Sequence, residues 1–91
     1  MEIKVIYYHI VVERDIPKLD APIKNRIRRA ITEKLMTSPN IFGLPLRGTL
    51  ARCWKLRVGD WRIVYSMTNN EVKIWAIEHR GIVYDLALKR M

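Results

Sequence analysis

Residues 50–65 constrain the fold more than any other stretch: Leu50-Ala51-Arg52-Cys53-Trp54-Lys55-Leu56-Arg57-Val58-Gly59-Asp60-Trp61-Arg62-Ile63-Val64-Tyr65. They read as two strands joined at Gly59-Asp60, a pair suited to a two-residue primed hairpin turn with Gly at positive φ. A two-residue loop sets the register: Val58 faces Trp61, Arg57 faces Arg62 and Lys55 faces Val64. Period-two alternation then puts Trp54, Leu56, Val58, Trp61, Ile63 and Tyr65 on one apolar face, with both tryptophans in the core. Lys55, Arg57 and Arg62 fall together on the other. Like charges directly opposite one another destabilise a strand pair, on a scale of roughly 0.2–1 kcal/mol. Three cations gathered on one side, with only the turn residue Asp60 nearby in sequence, suggest a surface that expects an anion.

The length, 91 residues, suits one domain spanning residues 1–91 with a single core. Seventeen Lys and Arg against nine Asp and Glu give a net charge of +8, and a small domain this basic usually meets a polyanion. No apolar run approaches the roughly 18 residues needed to span a bilayer, so no membrane partner is expected. The start, Met1-Glu2-Ile3-Lys4-Val5, lacks the layout of a signal peptide. The lone Cys53 cannot form an internal disulfide and fits a reducing cytoplasm, where it reads as a small packing residue. With few carboxylates and no ligand cluster, neither metal nor cofactor is expected.

Residues 3–12 are rich in β-branched and aromatic types and read as a strand ending near His9. Glu13 to Leu19 suggests a short helix. A long helix follows: Asp20 caps it, Pro22 sits in its first turn, and Ile23, Ile27, Ala30, Ile31 and Leu35 recur at helical spacing. Arg29 and Glu33 form an i,i+4 pair on its basic flank. Ser38-Pro39-Asn40 stops it, and residues 41–48 read as a loop packed against the domain. After the hairpin, Asn69-Asn70 forms a second two-residue turn into a strand over Val72 to Glu78. That turn puts Val72, Ile74 and Ala76 on the apolar face, and Trp75, Ile77 and His79 on the cationic one. Ile82 to Met91 reads as a C-terminal helix. The expected architecture is α+β, in the order β-α-α-β-β-β-α: an antiparallel sheet with two N-terminal helices on one face and the other face open.

Several segments carry a resemblance: Pro45-Leu46-Arg47-Gly48, the run Trp54 to Tyr65, Ile77-Glu78-His79-Arg80, and Val83-Tyr84. With the segment Val11 to Leu19, they resemble the RelE/ParE superfamily of type II toxin–antitoxin toxins, and within it most nearly the RelE-type mRNA interferases. The resemblance covers essentially the whole chain and implies a RelE-like compact domain. It implies metal-independent cleavage of mRNA in the ribosomal A site, beside 16S rRNA, by attack of the 2′-OH. It also implies a cognate antitoxin, acidic and partly disordered, that neutralises the toxin. The family's catalytic residues correspond to Lys55, Arg57, Arg62, Arg80 and Tyr84. Arg57 departs from the pattern, since the best-known members carry a second lysine there, and an arginine is too basic to exchange protons near neutral pH.

Lys55 is therefore the candidate for proton transfer. Arg57, Arg62 and Arg80 are candidates for holding the phosphate, and Tyr84 for stacking on a base. Arg47, Arg52 and His79 are expected to contact RNA. A different reading is a ParE-like toxin that poisons DNA gyrase without cutting nucleic acid. A third is an inactive RNA- or protein-binding domain.

Overall fold

The computed structural model describes residues 2–91. Five strands form one sheet: β1 (Lys4–Tyr7), β2 (Leu44–Pro45), β3 (Cys53–Val58), β4 (Trp61–Thr68) and β5 (Glu71–His79), in the order β1-β5-β4-β3-β2. The fold is α+β, as expected. The β3–β4 hairpin has the register the sequence dictates, with Val58 opposite Trp61, Arg57 opposite Arg62 and Lys55 opposite Val64. Gly59 takes φ +62°, the conformation for which a residue without a Cβ is needed there. Asn69, at φ +55°, opens the second tight turn.

The edges differ from expectation. The sheet is mixed, because β1 runs parallel to β5, with Lys4 opposite Glu71 and Tyr7 opposite Ile74. The N-terminal strand is also shorter than the stretch 3–12. It ends at Tyr7, and Val11–Asp15 winds into a π-helical turn followed by a 3₁₀ turn, Ile16–Lys18. Val11, Asp15 and Leu19 are buried at a spacing of four while Val12, Glu13 and Arg14 are exposed, a helical pattern and not the period-two alternation of a strand. Residues 41–48 are likewise not a packed loop. A short helix (α2, Pro39–Phe42) leads into β2 on the edge of β3, leaving Ile41, Phe42 and Leu44 exposed.

The long helix forms as read. α1 (Ala21–Ala30) begins where the Asp20 carboxylate accepts from the Ile23 N–H at 3.4 Å, and it continues as a π-helical turn, Ile31–Leu35. Its apolar stripe lies on one sheet face, in a core that includes Ile27, Ile31, Leu35, Leu56, Ile63, Tyr65 and Ile74. Each such side chain, fully buried, contributes about 1.5–3 kcal/mol. The other face is not open. The C-terminal helix α3 (Val83–Arg90) lies across part of it, burying Val83 and Ala87 with Cys53, Val64 and Ala76.

A β-bulge decides which residues of β5 face which helix. Val64 is opposite Ala76 but Tyr65 is opposite Ile74, so Trp75 has no partner on β4 and the alternation slips by one. Val72 and Ile74 join the α1-side core as expected. Ala76 instead lies with α3, and Ile77 enters the α1-side core rather than the cationic face. His79 moves with Ile77: it is opposite Trp61, with the two rings 6.0 Å apart and edge-on.

Candidate active site

The cationic side of the β3–β4 hairpin is organised around one backbone oxygen. The Arg62 Nη1 donates to the Gly59 carbonyl at 2.8 Å, and the Arg57 Nε donates to the same oxygen at 3.4 Å. Arg62 Nη1 also donates to the Trp61 carbonyl at 2.8 Å. The hairpin turn thus gathers two guanidinium groups that the ladder sets opposite each other, and its carbonyl oxygens offset part of their repulsion.

Lys55, half-buried two residues back along β3, has its ammonium 5.8 Å from the centre of the Tyr84 ring. Tyr84 sits in the first turn of α3, half-buried against the second core cluster. The Arg80 N–H donates to the Asp60 carbonyl at 2.9 Å, which ties the turn after β5 to the hairpin tip, with the Arg80 side chain exposed. Lys55, Arg57, Arg62 and Tyr84 therefore come from β3, β4 and α3 to one side of the hairpin, and the Arg80 backbone is tied to its tip.

Among the described residues the ion pairs are Lys18–Glu78 at 3.6 Å and Arg90–Asp15 at 2.7 Å. None of the site cations takes part. Glu78 lies opposite Arg62 in the ladder, yet its Oε2 pairs with Lys18 and its Oε1 accepts from the His79 N–H at 3.1 Å. Among the described residues the hairpin cations are thus without a carboxylate partner. Arg29 and Glu33 form no ion pair either, so the expected helix pair is absent.

The remaining expected contacts lie elsewhere. Arg47 and Arg52 are exposed at the opposite end of β3 from the turn. His79 is on the Trp61 side of the sheet, not the side of Lys55, where its Nδ1 accepts from the Gly81 N–H at 3.4 Å. Cys53 is fully buried beside the Met91 sulfur at 3.2 Å, and burial pushes its thiol above the ordinary range, which favours an inert packing role. Among the described residues no three His, Cys, Asp or Glu side chains converge as a metal site. An apolar cavity of about 290 Å³ lies between β1 and α1, and none of the predicted site residues lines it. Sequence reasoning did not identify the Gly59 carbonyl as a meeting point, because a backbone oxygen leaves no mark on residue type.

The fold is one already seen in solved structures of toxins from toxin–antitoxin systems. The toxin–antitoxin complex RelBE2 from Mycobacterium tuberculosis contains a chain 26% identical to this one, with 89% of this chain and 94% of that chain covered and a TM-score of 0.78. A double-arginine mutant of the E. coli toxin RelE in the free state is similar in fold, at 22% identity and a TM-score of 0.79, with 100% and 99% of the two chains covered. The archaeal RelE–RelB complex from Pyrococcus horikoshii OT3 is similar at 23% identity and a TM-score of 0.64, with 89% and 98% covered. Curated protein sequences give no match. Residues 4–84 match the family described as the ParE toxin of type II toxin–antitoxin system, parDE, and the chain belongs to this family, within the RelE/ParE superfamily.

Proposed function

We propose that this toxin is a ribosome-dependent mRNA endonuclease that inhibits translation in the cytoplasm. The observation that carries the reading is the convergence of the Arg57 and Arg62 guanidinium groups on one carbonyl, with Lys55 and Tyr84 alongside and no carboxylate paired to any of them. Cleavage of RNA by its own 2′-OH needs a group to take that proton, charge stabilisation for the phosphorane and a proton for the departing 5′-oxygen. In this reading Lys55 does the proton work. Arg57 and Arg62 hold the scissile phosphate through charge-assisted hydrogen bonds, exchanging the Gly59 carbonyl for phosphate oxygens. Arg80 adds a phosphate contact and Tyr84 stacks on a neighbouring base. Arg47 and Arg52 contact RNA or 16S rRNA further along β3. An acidic, partly disordered antitoxin covers this face and neutralises it, consistent with the toxin–antitoxin complexes among the structural relatives.

The test is toeprinting of a message translated in a reconstituted system. Cleavage should appear with the native chain and be lost with Lys55→Ala and Arg62→Ala. The family match favours a second reading, a ParE-like gyrase poison without nuclease activity. Inhibition of gyrase supercoiling together with intact translated mRNA would establish that reading instead.

A further inference from the structure

A charged helix flank is ordinarily just solvated, but one side of α1 is not free of the sheet. The Arg26 guanidinium lies against Gly59, with Nη1 and Nη2 3.1 and 3.3 Å from where a Cβ on that glycine would stand. A groove of about 210 Å³ opens there between α1 and the hairpin tip. Arg26, Arg29, Lys34 and Arg57 line it against a single carboxylate, Glu33. Arg57 belongs to both sites: it lines the groove, and its Nε meets Arg62 at the Gly59 carbonyl. The positive charge is therefore continuous from the catalytic face, around the hairpin tip, to the helix.

We infer that this groove is a second phosphate-binding subsite, holding the backbone of a single-stranded RNA next to the linkage bound by Arg57 and Arg62. The inference rests on the nuclease reading and adds the path of the substrate strand. Three of the four cations are arginines, whose planar forks match phosphate oxygens. None of the four is in an ion pair among the described residues. The apolar contribution to the groove is limited to Ala30 and Val58, too little to anchor an amphipathic peptide helix, which favours a phosphodiester backbone over an acidic protein segment.

The test uses 2′-O-methyl oligoribonucleotides, which lack the attacking hydroxyl and cannot be cleaved, as a dinucleotide and as a dodecamer. Dodecamer binding to the full chain is measured against salt concentration. The Arg26→Ala/Arg29→Ala variant should lower the slope of log K against log salt by about 1.4, two contacts at about 0.7 each on a single strand. Dinucleotide binding should be unchanged, and Arg26→Lys/Arg29→Lys should restore most of the slope. Both positions are exposed, and an unchanged thermal midpoint verifies the fold. An unchanged slope, or an equal loss for dinucleotide and dodecamer, overturns the subsite. So does an unchanged RNA slope with weakened binding of a polyglutamate peptide, which would give the groove to an acidic protein. Failure of the nuclease reading is read separately, as translated mRNA left intact by the native chain.

Discussion

Asp15 and Arg90, 75 positions apart, form a two-pronged ion pair in the protein interior, at 2.7 and 2.9 Å. The Asp15 Oδ2 also accepts from the Ile77 N–H at 2.8 Å, and Arg90 Nη1 donates to the Trp75 carbonyl at 3.0 Å. One pair thus joins the N-terminal helical turns, β5 beside its bulge, and the helix that carries Tyr84.

Breaking this pair from one side strands a charge. The Asp15 side chain is fully buried and that of Arg90 is 8% exposed. Asp15→Ala should cost about 3–5 kcal/mol of unfolding free energy in urea titrations. Replacing both residues together with apolar ones should cost less than the sum of the single changes. Equal additivity would show that the two residues act independently.

Tyr65 connects stability to alkaline pH. Its hydroxyl, buried, donates to the Pro39 carbonyl at 2.7 Å, and burial raises its pKa from 10.0 to about 12. Between those values the unfolded chain binds fewer protons than the folded one, so stability falls as pH rises. The contribution is whole below pH 10 and lost toward pH 12, amounting to roughly 2–3 kcal/mol for a shift of this size. Tyr65→Phe should flatten that part of the urea-midpoint profile relative to the native chain, while costing about 0.5–1.5 kcal/mol at neutral pH by leaving the Pro39 carbonyl with the Gly43 N–H, at 3.3 Å, as its remaining donor.

Gly43 leaves room for that same hydroxyl. A Cβ there would overlap the Tyr65 hydroxyl and stand 2.8 Å from Cζ and 3.2 Å from the Lys55 carbonyl oxygen. Gly43→Ala should destabilise the chain by about 1–3 kcal/mol through overpacking. Combining it with Tyr65→Phe should recover part of that loss, since the hydroxyl is gone but Cζ remains. A double-mutant cycle with no coupling would refute the contact.

For the nuclease reading, the informative variants keep charge or shape. Lys55→Arg preserves the cation but replaces the ammonium with a guanidinium that does not give up its proton, so cleavage should still fall about 10²–10³-fold. Tyr84→Phe keeps the ring and should retain most activity, whereas Tyr84→Ala should lose about 1–3 kcal/mol of base stacking. If Phe and Ala at this position are equally inactive, the phenol hydroxyl has a chemical role instead.

The legible parts of the fold were local. Two tight turns, at Gly59-Asp60 and Asn69-Asn70, set strand registers through loop length alone, and the cationic triplet on β3 and β4 followed from alternation. The long helix followed from its cap and its apolar period. The slip at Trp75 was not legible, and it alone moved Ile77 and His79 to the other face, because a bulge changes parity without changing residue types.

The basic hairpin and its pairing are written in the residues alone, since turn chemistry and side-chain alternation act over a few positions. Long-range packing set the rest: β1 joins parallel to β5, α3 covers part of the second face, and Arg57 and Arg62 meet at one carbonyl with Arg26 across the turn. These depend on contacts between distant segments, where burial and hydrogen-bond satisfaction outweigh local preference.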